Sequence, residues 1–185
     1  MRWDALFDDL QSQWAALEDR ARESEIAERT RMDQGSVTLL GRVRASPGAR
    51  IRILQADGET VDGTVGFIGA DWVCVRSGAL DVVVVAAWCR AWEGLHRVAA
   101  PEPTSVSDRL SLASALRGLN RDRAVVTVTL AMAQGAASVR GRIERVGRDF
   151  VELTPVHPGE LRPDRAGAIT TVPIVACVRI SSLAR

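Results

Sequence analysis

The sequence predicts a mainly β protein with helices, in which one long N-terminal amphipathic helix precedes two copies of a small five-stranded unit. Three observations carry this reading. First, Gly63-Thr-Val-Gly-Phe-Ile-Gly-Ala-Asp-Trp-Val73 returns 78 positions later as Gly141-Arg-Ile-Glu-Arg-Val-Gly-Arg-Asp-Phe-Val151. Both copies follow G-x-(V/I)-x-x-(I/V)-G-x-D-(W/F)-V, and a match this long marks an internal duplication. Second, apolar and polar residues alternate around each copy, as in half-buried strands. Third, the apolar residues at the start of the chain recur with helical spacing.

At 185 residues the chain accommodates two small units. A unit of roughly 60–80 residues buries too little surface to be comfortable alone, so the two are expected to share an interface or to oligomerise. The expected segments are a helix over 1–35 and two β units over 36–100 and 101–185.

Trp3, Phe7, Leu10, Trp14, Leu17 and Ala21 follow a 4-3-4-3-4 spacing and form one stripe, widened by Leu6. Asp4, Asp8 and Asp9 suit the positive end of the helix dipole. The helix is expected to reach about Met32, with Gln34-Gly35 as its stop. Its stripe, Trp3, Phe7, Leu10, Trp14 and Leu17, is a candidate interaction seam. Docking on the chain's own β units and gripping another molecule are equally compatible with three heptads.

Ser36 is expected to cap a helix over Val37–Ala45, ended by Pro47-Gly48, and Ser107 one running from Asp108 to about Leu119. Each copy then enters an alternating strand, around Ile51 and Ile53 or around Val126, Val128 and Leu130. Asp57-Gly58 is a strong two-residue hairpin signal, loosely matched by Gln134-Gly135. The next strand places Val61, Gly63 and Val65, or Val139, Gly141 and Ile143, on one face. A glycine at the same interior position in both copies suggests a sharply bent strand. Gly69 and Gly147 are expected in turns of positive φ, each followed by a third strand from Trp72 or Phe150. Leu80–Val85 and Ile169–Val172 predict fourth strands. Ala87–Trp92 and Ile174–Ile180 predict fifth strands, each reached by a short irregular step that Pro173 marks in the second copy.

This order of one helix and five strands, with a bent second strand and a short step before the fifth, resembles the Sm and Sm-like fold, a small SH3-like barrel. The match is closest to the bacterial Sm-like RNA chaperones at Gly63–Val75, and it covers about residues 36–98 and 105–183. It implies two fused barrels whose last two strands offer edges for association. The family's uridine-binding residues do not carry over. Val73 and Val151 stand where an Asn is expected, and no basic-Gly pair precedes Ala87 or Ile174. The chain as a whole, from Met1-Arg-Trp-Asp-Ala-Leu-Phe-Asp-Asp-Leu10, also resembles a group of uncharacterised actinobacterial proteins.

The net charge of +1 gives no bulk attraction for polyanions. It conceals a gradient, with 9 acidic against 5 basic residues over 1–35 and 8 acidic against 12 basic over 101–185. All 24 basic residues are Arg, so an Arg cluster is more often a solvated face than a nucleic-acid site here. Within the second copy, Arg140, Arg142, Arg145 and Arg148 are the candidate nucleic-acid contacts. One or both of Trp88 and Trp92 are candidates for covering the joint between copies or an oligomer contact.

Neither His96 nor His157 sits in a metal or catalytic spacing, and no phosphate-loop, zincin or nucleophile-elbow motif occurs. Asp71 and Asp149 are expected to accept backbone N–H bonds in turns. Cys74, Cys89 and Cys177 read as small core side chains in a reducing compartment. The expectation is a cytoplasmic, non-enzymatic protein without cofactor, metal, membrane span or small-molecule substrate. Its expected partner is another protein or a second copy, held through the helix or the barrel edges, with RNA or DNA as the alternative.

Overall fold

A computed structural model describes residues 2–100, 106, 109–133, 135–157 and 168–184. Residues 1–39 and 40–185 are two compact units.

In the first unit, α1 spans Arg2–Ser36. It passes the expected stop, because a single glycine at position 35 costs a helix only about 1 kcal/mol. Ser36 is therefore the last residue of α1, and the second helix begins at Leu39, two residues later than expected. Arg22 sits 3.8 Å from both Glu18 and Asp19, pairings at one-turn spacing on an exposed face.

The second unit opens within α2 (Leu39–Arg44), which is shorter than expected, with Gly41 and Val43 buried. It leads into β1 (Arg50–Gln55), β2 (Thr60–Ile68), β3 (Trp72–Ser77), β4 (Leu80–Val85) and β5 (Cys89–Glu93). Next come α3 (Leu112–Arg121) and β6 (Val125–Ala131), β7 (Ala136–Val146), β8 (Phe150–Pro155), β9 (Thr170–Pro173) and β10 (Cys177–Leu183). The irregular step before each fifth strand is one turn of 3-10 helix, Ala86–Trp88 and Ile174–Ala176. Of the predicted start of α3, Ser107 and Asp108 lie outside the described residues. The helix itself begins at Leu112 after Ser111 and includes Asn120.

All ten strands form one antiparallel sheet in the order β5-β1-β2-β3-β4-β10-β6-β7-β8-β9. The two copies have the same internal order, a fifth strand followed by the first four. Two fused five-stranded barrels were expected, and the sheet corrects this: the ten strands form one open sheet, and neither half pairs its fourth strand with its own fifth. Instead β4 of the first copy pairs with β10 of the second, Arg179 opposite Val84 through Leu183 opposite Leu80. Each copy has spent its closing edge on the other.

That placement explains the run Val82-Val-Val-Val85. A strand lying between two cores is buried on both faces and reads as continuously apolar. Val82 and Val84 enter the first core with Ile51, Ile53, Val61 and Val73. Val83 and Val85 enter the second core with Leu112, Leu116, Val126 and Ile143.

The repeated glycines are explained by close approach. A Cβ on Gly63 would run into the Arg76 carbonyl oxygen, and one on Gly141 would lie 2.5 Å from that of Thr154. The ladder irregularities follow slightly later, between Val65 and Ile68 and between Ile143 and Arg145. Gly69 and Gly147 are not at positive φ, contrary to expectation. Each has the aromatic ring of its own turn, Trp72 or Phe150, where a Cβ would stand. Their N–H groups donate to Trp72 O and Phe150 O, both at 2.9 Å.

Candidate interaction surfaces

The richest constellation of polar contacts lies at the joint between the two copies. Asp71 Oδ1 accepts the Leu112 backbone N–H at 2.9 Å, so a turn of the first copy caps the helix of the second. Trp72 Nε1 donates to Leu110 O at 2.9 Å, and Trp88 Nε1 to Val175 O at 3.1 Å. Trp88 thus covers the joint, whereas Trp92 packs against the first core. From β10, Arg179 donates to Gln55 Oε1 at 2.9 Å and pairs with Asp57. The Asp57 side chain is 1% exposed, and Gln55 also donates to Val178 O. Two clefts flank the joint. One, of about 350 Å³, lies among Phe67, Trp72, Asp81, Leu119 and Ile180. The other, of about 520 Å³, lies among Asp71, Val85, Trp88, Leu112 and Val175.

The four candidate arginines do not form one field. Arg140 and Arg142 share a face of β7, Arg140 exposed and Arg142 half-buried. The irregularity after Ile143 turns Arg145 toward Glu152, which it grips at 2.8 and 3.0 Å. The Arg145 guanidinium also lies 5.2 Å from the Phe150 ring centroid. Its hydrogen bond to Glu152, and then the carboxylate's charge, raise its pKa. Arg148 is exposed in the following turn.

All five seam residues, Trp3, Phe7, Leu10, Trp14 and Leu17, belong to α1. The side chains of Trp3, Phe7 and Leu10 lie outside the described residues. Trp14 is 69% exposed and Leu17 60%.

Cys74, Cys89 and Cys177 are free thiols. Burial pushes their pKa values up to about 11, about 12 and about 11, which keeps them protonated and poorly nucleophilic at neutral pH. His96 and His157 are exposed. Among the described residues no cluster of His, Cys, Asp and Glu could hold a metal, and no helix is long and apolar enough to cross a membrane.

Sequence reasoning marked Asp71 as a turn acceptor and Trp88 as a joint residue, but missed Arg179, Gln55 and Asp57. The only available signal was an Arg in the apolar run Ala176–Ile180, a position that needs a buried acceptor. No protein-family model matches the chain, and no curated protein matches it.

Proposed function

We propose that the chain is a non-enzymatic binding and assembly module, made of two Sm-like halves over 36–100 and 101–185 behind a helical segment over 1–35. The observation that carries this reading is the β4–β10 ladder: the halves associate through sheet edges, and among the described residues no strand pairs with the outer edges of β5 and β9. An unpaired edge presents a row of N–H and C=O groups that favours another strand. The exposed Trp14 and Leu17 add a second apolar surface for a protein partner or another copy. The actinobacterial resemblance agrees with the Arg-only basic set, and the protonated, unpaired thiols suit a reducing cytoplasm.

Light scattering tests the reading. The full chain is expected to exceed the mass of one 20.0 kDa copy. If the helical seam carries the association, deleting residues 1–33 should lower that mass and leave the melting curve unchanged. If the seam serves the chain's own stability, the deletion should lower the melting temperature and promote aggregation.

Nucleic-acid binding is the second reading, favoured by the exposed Arg140 and Arg148 in the more basic copy. An electrophoretic shift with RNA and with DNA at low and high salt decides it, since phosphate contacts release counterions and weaken as salt rises. We expect no salt-sensitive shift, because Arg145 is occupied by Glu152. A shift that disappears in high salt and is lost when Arg140, Arg142, Arg145 and Arg148 become Ser would replace assembly with regulation.

A further inference from the structure

We propose that the cleft between α3 and the strands β3 and β4 binds a small organic cation, a guanidinium or ammonium group carried on an apolar body. This site is separate from the sheet edges and from the helical seam on which the assembly reading rests.

The cleft holds about 350 Å³, within the range of small-molecule pockets. Phe67, Trp72, Leu119 and Ile180 give it an apolar and aromatic wall. Phe67 remains 75% exposed, so a bound ligand has an uncovered ring to bury. The charged lining groups are Asp81 and Asp122, and among the described residues no arginine lines the cleft. Gly118 and Leu119 bring the last turn of α3 to the same wall, where the helix dipole is negative. A Cβ on Gly118 would meet nothing within 4 Å, so the helix leaves the space open at that point. An apolar pocket walled by negative charge repels anions and favours a cation with a hydrocarbon body.

The duplication shows what this part of the scaffold holds when it is filled from within. By the repeat, Phe67, Trp72 and Cys74 correspond to Arg145, Phe150 and Glu152. In the second copy the Arg145 guanidinium lies 5.2 Å from the Phe150 ring centroid and is gripped by Glu152 at 2.8 and 3.0 Å. A cation is thus held there by an aromatic ring and a carboxylate together. The first copy keeps the ring as Trp72 but has Phe67 in place of the cation and Cys74 in place of the carboxylate. A carboxylate returns from the adjoining strand β4, as Asp81. Ring and carboxylate are both present, and an open cleft takes the place of the guanidinium.

Arg76 does not fill this role. Its Nε meets Asp81 Oδ1 at 3.3 Å, but its side chain is 66% exposed and lies outside the cleft lining. A pair so open to water is weak, and a cation partly withdrawn from solvent competes with it. Cys74 senses the charge of Asp81: burial and then that carboxylate push its thiol up to about 11, with Arg76 acting in the opposite sense. A protonated thiol offers no nucleophile, so the binding is noncovalent.

Calorimetric titration of the full chain with phenethylguanidinium tests the site, with neutral phenethyl alcohol and anionic phenylacetate as comparisons. The expected result is saturable binding of one guanidinium per chain and no binding of the alcohol or the carboxylate. Asp81→Asn should weaken binding about tenfold, the loss of one charge-assisted contact. Phe67→Arg installs the second copy's own cation at an exposed position, and it should abolish binding while leaving the melting curve unchanged. The absence of saturable heat with phenethylguanidinium would overturn the proposal, as would equal binding of the alcohol or unchanged affinity in either variant. The mass of the chain in solution does not enter these measurements, so their failure would leave the assembly reading standing.

Discussion

Gly141→Val and Gly63→Val are each expected to destabilise the β unit by about 3 kcal/mol, the upper range for forcing extra carbon into packed structure. The obstacle is backbone: the Thr154 carbonyl oxygen stands 2.5 Å from a Cβ on Gly141, and the Arg76 carbonyl occupies the same place at Gly63. A flexible side chain could yield, but a carbonyl held in a ladder cannot move without breaking its neighbours' hydrogen bonds. Gly118 supplies the opposite case. It lies within α3 with nothing within 4 Å of an added Cβ, so Gly118→Ala should stabilise by about 0.5–1 kcal/mol. Thermal or urea unfolding of the three variants gives the comparison. Matching curves for Gly141→Val and the unmodified protein would rule out the close-approach account.

The second large effect is expected at Arg179. Arg179→Ala strips the cation from an Asp57 side chain that is 1% exposed, leaving a buried carboxylate with lost compensation. Breaking a buried pair in this way costs about 3–5 kcal/mol, whereas replacing both members with apolar residues is often close to neutral. The double variant Arg179→Met with Asp57→Leu should therefore recover much of the loss. Urea midpoints measure both, and a single variant that loses less than about 1 kcal/mol would show that water reaches Asp57 readily.

Local periodicity made most of the strands legible. Ile51 and Ile53, Val61 and Val65, and Val126 and Val128 each point to one core, and their period of two survives in any tertiary setting. Glycine was legible as a constraint but not by type. Gly69 and Gly147 read as turn glycines of positive φ, yet it is an aromatic ring that excludes a side chain there. The joint was the least legible part. A strand such as Leu80–Val85 carries the same apolar signal whichever strand lies beside it, so nothing local distinguishes β5 from β10 as its neighbour. Arg179 and Asp57 are 122 positions apart, and a single ion pair at such separation leaves no pattern to follow. The interaction seam was clear as a stripe of Trp3, Phe7, Leu10, Trp14 and Leu17, but spacing alone carries no information about what covers it.

The place of β10 in the sheet bears on how the protein is made. It lies between β4 and β6, and its ladder with β4 joins the most widely separated segments of any strand pair described. During synthesis the first five strands can settle around their own valines while β4 keeps one bare edge, and it stays bare until Cys177–Leu183 has been translated. Pairing across such a distance is slow because the loop must close before any contact rewards it. In a crowded polysome, where nascent chains stand side by side, the β10 of one chain can reach the waiting β4 of another, and an exchanged strand between neighbours is the characteristic error to which this topology is open.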